Sequence, residues 1–124
     1  MNIQQKMAQA AYEKAEARVN GDFEKYLSFA RGFPSLIHSC GLVQALSFAK
    51  AKSAKYEHQG YFLEDLKQIL IVGGLLSQGD DLVNFSRNAD QAKYLLLSRR
   101  ALDAAVWLKR YSEALETPSQ TKDH

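Results

Sequence analysis

The sequence predicts an all-α protein: a single-domain bundle of about six helices around a long C-terminal helix. No segment alternates polar and apolar residues with the period of two that is typical of a strand, and β-branched residues are few. Only two prolines, Pro34 and Pro118, interrupt a chain of 124 residues that is 46% hydrophobic and 24% charged. A chain of this length holds one core. We therefore expect one helical domain at residues 1–116 and a disordered polar tail at residues 117–124.

The N-terminal region predicts two helices separated by a glycine. Apolar side chains recur at three- and four-residue steps over residues 3–19 and form one stripe, which is typical of an amphipathic helix. Gly21 ends that helix, because glycine adopts the left-handed backbone conformation without steric cost. Asp22 is a favourable cap for a second helix, which we expect to end at Gly32.

A proline and a glycine divide the region that follows. Pro34 suits the first turn of a short third segment over residues 34–39, since its fixed φ angle fits there and it has no N–H to leave unpaired. Gly41 marks a sharp turn into the next helix, which is predicted over residues 42–54. We expect Leu46 to be buried on the inner face of that helix.

Two more helices are predicted in the middle of the chain. Apolar residues at helical spacing predict a helix over residues 61–72, and the Gly73-Gly74 pair stops it. A short helix is expected after Asp80-Asp81, since acidic residues are favourable at a helix N-terminus.

The last helix, predicted over residues 89–115, has the clearest pattern. Asn88 and Gln91 have the spacing of a capping box. The apolar stripe of this helix consists of Tyr94, Leu97, Ala101, Ala104, Leu108, Tyr111 and Leu115, and it is widened by Leu95, Leu102 and Val106. A helix that is apolar around most of its circumference must be covered on several sides, so we expect it to be the central element.

The sequence contains little that could carry catalysis. Cys40 is the only cysteine, which excludes an internal disulfide and a multi-cysteine zinc site and is typical of a reducing compartment. His38 is close in sequence, but two ligands are too few for a zinc site, and a nucleophilic pair needs a third group to orient it. We interpret the two residues as a half-buried histidine beside an inert buried thiol.

The carboxylate doublets Glu64-Asp65 and Asp80-Asp81 are also poor candidates. Adjacent side chains on a helix point about 100° apart, so neither doublet forms a pincer for metal binding or acid–base chemistry. A solvated helix face and a helix N-terminus explain them. We expect no catalytic residue, no metal and no cofactor. The alternative is a metal-dependent nuclease that uses Asp80, Asp81 or Glu64.

Signals for secretion and membrane insertion are not evident in the sequence. The first residues, MNIQQKMAQ, lack the apolar segment of a signal peptide. The apolar runs are far shorter than the roughly 20 residues that a spanning helix needs. We therefore expect a cytoplasmic protein without a membrane partner.

One charge pattern points to a polyanionic partner. The net charge is only +2, which excludes a strong field over the whole protein. The segment between Glu24 and Glu57 nevertheless contains no acidic residue. Lys14 and Arg18 form a like-charged pair four residues apart, which is unfavourable unless an anion or a partner neutralises it. Local basic patches on a nearly neutral protein are typical of phosphate-backbone contacts within a larger assembly. The alternative is a solvated lysine-rich face.

Three segments of the sequence together match the signature of one protein family. They are P-S-L-I at residues 34–37, G-L-V-Q-A-L-S-F at residues 41–48 and, on the last helix, Tyr94, Ser98, Ala101-Leu102 and W-L-K-R at residues 107–110. With these segments the chain resembles the small all-helical fifth subunit of the Cmr complex, the type III-B CRISPR–Cas effector. Arg100 departs from the pattern, which often has an acid at that position.

The resemblance implies a non-catalytic subunit of an RNA-guided antiviral complex. In such complexes a guide RNA pairs with a target RNA, and small helical subunits stack along the backbone subunits and help line the groove that holds the duplex. The expected partners are other Cmr subunits, including the backbone subunit and copies of this chain, together with guide RNA and target RNA. In isolation the chain is expected to be a monomer or to self-associate weakly. The alternative is a protein-only helical scaffold module that makes no direct contact with RNA.

Six basic residues are the candidates for contact with the RNA backbone: Lys14, Arg18, Lys25, Arg31, Lys52 and Lys55. The like-charged pair contributes the first two, and the acid-free segment contributes the other four. Phosphate contacts carry no sequence information, so we expect the isolated chain to bind RNA weakly and without sequence preference.

Overall fold

Residues 1–116 form six α-helices in the computed structural model, which describes this part of the chain. The helices are α1 (Ile3–Arg18), α2 (Phe23–Cys40), α3 (Leu42–Lys52), α4 (Glu57–Val72), α5 (Leu82–Asn88) and α6 (Gln91–Leu115). No strand occurs in these residues, so the predicted all-α fold is confirmed. None of these helices combines the length and the apolar character that a membrane crossing requires. The tail predicted at residues 117–124 lies outside the described residues.

Helix α1 begins with a capping box that was not predicted. The Asn2 side chain accepts a hydrogen bond from the Gln5 N–H at 2.8 Å, and the Gln5 side chain accepts one from the Asn2 N–H at 2.9 Å. On the inner face of the helix, Ala11 and Ala15 are fully buried. Small side chains at a helix contact allow a close approach of the two axes. With this face α1 packs chiefly on α6 and α4.

Helix α2 is longer than predicted, because it continues through Gly32 and Pro34. The predictions of a stop at Gly32 and of a separate segment over residues 34–39 are wrong. A proline inside a helix removes one backbone hydrogen bond and costs about 3 kcal/mol or more. Here the apolar face runs on across the proline, and Phe33, Pro34 and Ile37 are all buried. Burial of these side chains in the core offsets the lost hydrogen bond.

Gly41 makes the turn between α2 and α3, as predicted. Its φ angle is +84°, a region that residues with a Cβ atom rarely adopt. The Val43 N–H, in the first turn of α3, donates a hydrogen bond to the Tyr94 hydroxyl of α6 at 3.2 Å. Leu46, one turn later, is fully buried, which confirms the expectation for this face.

Helix α4 begins at Glu57, before the predicted start at Tyr61. Its first turn has the sequence E-H-Q-G, which lacks the apolar periodicity that marks the rest of the helix. The helix ends at Gly73, where a Cβ atom would lie 2.7 Å from the sulfur of Met7. A side chain at this position would therefore have to displace the flexible end of Met7.

Both C-terminal helices are capped by aspartates. Asp81 accepts a hydrogen bond from a first-turn N–H of α5 at 3.1 Å, and this confirms the short helix predicted there. Asp90 accepts one from the Lys93 N–H at 2.9 Å and begins α6. The capping box predicted at Asn88 is wrong, because Asn88 is the last residue of α5.

Helix α6 is central over most of its length. From Leu97 onward its inner face is buried, and the helix packs against α1, α2 and α4. Leu95, in contrast, is 61% exposed. The prediction that Leu95 belongs to a covered stripe is wrong, since the first turns of α6 meet the bundle on one side, where Tyr94 contacts α3.

Candidate nucleic-acid interface

The structure brings three of the predicted basic residues to one surface cleft of about 690 Å³. Arg18 comes from the end of α1, Lys25 from α2, and Lys55 from the loop between α3 and α4. Asp22 and Glu57 line the cleft as well. The same cleft is lined by four aromatic side chains: Tyr26, Tyr56, His58 and Tyr61. We call it the basic–aromatic cleft.

A buried carboxylate holds Arg18 in place. Asp65, on α4, is 2% exposed and accepts two hydrogen bonds from the guanidinium, at 2.9 Å from Nε and 2.8 Å from Nη2. The Tyr26 hydroxyl donates a third hydrogen bond to the same carboxylate at 2.6 Å. A buried carboxylate must be paired and hydrogen-bonded, and this bidentate geometry supplies both. The interpretation of Glu64-Asp65 as a solvated doublet is therefore wrong for Asp65.

This ion pair changes the meaning of the spacing between Lys14 and Arg18. From sequence, the two positive charges require an external anion or partner. In the structure Asp65 of the same chain neutralises Arg18, and Arg18 thus has its charge satisfied within the bundle. Lys14, one turn earlier on α1, is half-buried and makes no ion pair within residues 1–116.

The surroundings shift the pKa values of three side chains at the cleft. Hydrogen bonding to Asp65 raises the pKa of Arg18. Burial, and then the negative charge of Asp65, raise the pKa of Tyr26, so that its hydroxyl remains protonated as a donor. Burial lowers the pKa of His58, as does the charge of Lys25, so that the imidazole is neutral at pH 7.

Tyr61 presents a ring at the cleft that is in contact with Arg18, which lines the cleft as well. The guanidinium carbon lies 4.5 Å from the centre of the Tyr61 ring, which is within the range of a cation–π contact. The Tyr61 side chain is nevertheless 47% exposed. A buried acid, Asp65, thus fixes the cation of Arg18, and this cation contacts the ring of Tyr61.

Lys52 and Lys55 are exposed, and both lie beside aromatic rings. The amine of Lys52 is 5.2 Å from the centre of the Phe48 ring, and that of Lys55 is 5.5 Å from the centre of the Tyr56 ring. Neither lysine forms an ion pair in the part of the chain that the structure describes. Their amines are therefore accessible to an external anion.

The other two candidates form surface ion pairs. The amine of Lys25 is 3.5 Å from the Asp22 carboxylate, and both side chains are exposed. Arg31 lies further along α2 and reaches α6, where its guanidinium is 3.2 Å from Glu113 and 3.1 Å from Glu116. Exposed ion pairs contribute about 0–1 kcal/mol each, so Lys25 can exchange its acid for a phosphate. Arg31 additionally ties the end of α6 to α2.

The residues considered for catalysis are dispersed or engaged. His38 and Cys40 are both exposed in the last turn of α2, so the interpretation of a half-buried histidine beside a buried thiol is wrong. Asp80 accepts a hydrogen bond from a turn N–H at 2.7 Å, Asp81 caps α5, and Glu64 accepts one from a glutamine amide at 2.8 Å. Within residues 1–116, histidine, cysteine and acidic side chains form no group of three that could hold a metal ion.

The sequence analysis missed the aromatic residues that line the cleft, among them Tyr61, and it missed Asp65, the buried partner of Arg18. Asp65 follows Phe62 by three residues and precedes Ile69 by four, so it lies on the buried stripe of α4. A carboxylate on a buried stripe requires a partner, and this signal was available. The identity of the partner depends on the packing of α1 against α4, and the exposure of Tyr61 carries no sequence signal.

The segments that resemble a known family occupy structural positions. Gly41 makes the turn before α3, Leu42 is buried behind it, and Trp107 packs partly buried against the core. Arg100, which stands where the family pattern often has an acid, lies 3.8 Å from Asp103 on the same helix.

Three comparisons with known proteins agree with that resemblance. Residues 3–115 match the sequence model of the family described as CRISPR-associated protein (Cas_Cmr5). The CRISPR system Cmr subunit Cmr5 of Thermus thermophilus is 36% identical over 109 residues, which cover 87% of this chain and 90% of that protein. The X-ray crystal structure of a CRISPR-associated Cmr5 family protein from the same organism has a TM-score of 0.80 and 31% identity, and the match covers 94% of this chain and 99% of that one. The chain therefore belongs to the Cas_Cmr5 family of CRISPR-associated proteins.

Proposed function

We propose that this chain is a non-catalytic small subunit of the type III-B CRISPR (Cmr) ribonucleoprotein effector complex and acts in the cytoplasm in antiviral defence. In this role it stacks along the backbone subunits, next to copies of itself, and helps line the groove for the guide RNA–target RNA duplex. In isolation it is a monomer or associates weakly with itself. The observation that carries the proposal is the family match over residues 3–115, which spans all six helices.

The placement of the acids supports a non-catalytic role. A metal-dependent nuclease needs carboxylates that converge on an open site. Asp65 is buried and engaged by Arg18 and Tyr26, whereas Asp80 and Asp81 hold a turn and the start of α5. These carboxylates serve the fold, and the chemistry of the complex is assigned to other subunits.

Lys52 and Lys55 are the basic residues best placed to meet RNA phosphates. They are exposed, they lack acidic partners among the described residues, and they lie three residues apart, at the end of α3 and in the loop that follows it. A lysine amine binds phosphate as a point charge and releases counterions from the nucleic acid. This position favours a direct RNA contact over a protein-only scaffold.

The test is the Lys52→Ala/Lys55→Ala double variant in the reconstituted complex. We expect weaker RNA retention and a salt slope lower by about 0.7–0.9 for each phosphate contact that is lost. The Lys6→Ala/Lys93→Ala double variant is the matched control, because it removes the same charge from exposed positions outside the candidate set. Helix content is expected to be unchanged in both variants.

Two outcomes contradict the proposal in different ways. If the Lys52/Lys55 variant assembles normally and its RNA affinity and salt dependence equal those of the control, the chain is a scaffold without RNA contact. If the purified chain cleaves RNA and Asp81→Ala abolishes the cleavage, the chain is a nuclease.

A further inference from the structure

The basic–aromatic cleft has the dimensions and the lining of a ligand site. Its volume of about 690 Å³ lies within the range of about 300–1,000 Å³ that is typical of pockets for small ligands. The cleft is formed by the end of α1, the beginnings of α2 and α4, and the loop before α4. The candidate phosphate contacts Lys14, Arg31 and Lys52 do not line it.

The aromatic part of the cleft is preorganised by the buried ion pair. The guanidinium of Arg18 is fixed by the two hydrogen bonds that it donates to Asp65, and it lies 4.5 Å from the centre of the Tyr61 ring. The ring remains 47% exposed. A ring that is already held in place loses little conformational freedom when a flat ligand stacks on it. Nucleobases are flat, and each has a π-face that stacks on aromatic side chains.

The charges of the cleft favour a ligand with a base over a bare anion. Arg18, Lys25 and Lys55 supply three positive charges, and Asp22 and Glu57 supply two negative charges at the same surface. Since Arg18 is already neutralised by the acid behind it, the attraction for a bare anion is small. Lys55 makes no ion pair among residues 1–116 and is the amine best able to bind one phosphate.

We propose that the basic–aromatic cleft binds one unpaired nucleotide of single-stranded RNA, with its base stacked on Tyr61 and its phosphate at Lys55. The inference rests on the proposed function in that it requires the chain to meet RNA. It adds a binding site for a base to the phosphate contacts along the backbone. Stacking is tolerant of base identity, so the site favours an unpaired base over a paired one without reading the sequence.

The experiment compares two single-stranded oligomers on the full-length chain: oligoadenylate, and an abasic ribose-phosphate oligomer of the same length. Both carry the same phosphates, so a difference in affinity reports the base alone. Affinity is measured by fluorescence anisotropy, and the site is located by backbone amide chemical shifts in NMR spectra. The variants are Tyr61→Ala, Tyr61→Phe, which keeps a ring, and Lys52→Ala, which removes a charge outside the cleft.

We expect the wild-type chain to bind oligoadenylate more tightly than the abasic oligomer, with amide shifts at Tyr56, His58 and Tyr61. Tyr61→Ala is expected to weaken oligoadenylate binding about fivefold to about a hundredfold, the range for one stacked base, and to abolish the difference between the oligomers. Tyr61→Phe is expected to keep that difference. Lys52→Ala is expected to lower the affinity for both oligomers by the same factor.

Equal affinity of the wild-type chain for the two oligomers overturns the assignment. This comparison uses the wild-type chain alone, so it does not depend on whether a variant folds. Unchanged oligoadenylate binding by a folded Tyr61→Ala variant overturns it as well. If either result accompanies RNA loss in the Lys52/Lys55 variant of the complex, the cleft assignment fails and the proposed function stands. If base-dependent binding at Tyr61 is found while that complex keeps its RNA, the base site at Tyr61 stands, and both the phosphate contact at Lys55 and the backbone contact of the proposed function fail.

Discussion

The buried carboxylate of Asp65 allows a sharp test of what holds α1 on α4. The Asp65→Ala change removes three hydrogen bonds, of 2.9, 2.8 and 2.6 Å, and leaves the Arg18 guanidinium and the Tyr26 hydroxyl without this acceptor. Breaking a buried ion pair from one side costs about 3–5 kcal/mol. The Tyr26 hydroxyl is also left unpaired in a side chain that is fully enclosed, which costs about 1–3 kcal/mol.

The two costs do not simply add, because Arg18 regains some water. Its side chain is 26% exposed, so the guanidinium can rehydrate once its partner is gone. We therefore expect Asp65→Ala to lower the free energy of unfolding by about 3–5 kcal/mol, a large part of the total for a small domain. The measurement is urea-induced unfolding followed by far-UV circular dichroism.

The neighbouring Glu64 provides the matched control. It is exposed and accepts one hydrogen bond, at 2.8 Å, so Glu64→Ala is expected to cost about 0.5 kcal/mol or less. A double-mutant cycle of Arg18→Ala with Asp65→Ala is expected to show a coupling energy of about 0.5–3 kcal/mol. If Asp65→Ala destabilises the chain no more than Glu64→Ala, or the cycle shows no coupling, the ion pair does not stabilise the bundle.

Two further predictions concern the core and the alkaline limit of stability. Leu46→Ala is expected to lower the free energy of unfolding by about 2–5 kcal/mol, since Leu46 is fully buried. Leu95→Ala, at an exposed position, is expected to change it by about 0.5 kcal/mol or less. Equal effects of the two variants in urea-induced unfolding would contradict the assigned burial. Because the pKa of Tyr26 is raised in the fold, its contribution to stability is present below about pH 10, the pKa of an unfolded tyrosine, and is lost as the pH rises above that value. Tyr26→Phe is therefore expected to lose less stability than the wild type between neutral pH and about pH 11, and parallel curves would refute this assignment.

Sequence periodicity identified the helices where a strong local signal marked them. The glycine turn at Gly41 and the acidic start of α5 needed only neighbouring residues to be recognised, and both are confirmed. The prediction at Pro34 was wrong, because proline favours the first turn of a helix locally, whereas burial of the apolar face of α2 keeps this proline inside the helix. Asn88 has the spacing of a helix cap, but it cannot cap α6 because it is the last residue of α5.

The site was less accessible to sequence analysis than the fold. The sequence shows which residues are basic, but it does not show which of them form ion pairs, because that depends on which acid the fold brings near each one. Asp65 reaches Arg18 and Glu113 reaches Arg31 across large separations in sequence, and no local pattern encodes either pair. The acid-free stretch around Lys52 and Lys55 was informative because neighbours in sequence are also neighbours on the surface.

The packing of α1 against α6 affects the order in which the bundle can fold. Helix α1 is made before the other five helices, yet its main contacts are with α6 and α4, not with the adjacent α2. Helix α1 can therefore meet α4 during synthesis, but its contact with α6 forms only after the last of these helices has left the ribosome. Closure of the core brings distant segments together, which raises the contact order and slows folding relative to a bundle of sequential hairpins. A chain truncated before α6 would therefore lose one of the two main packing partners of α1.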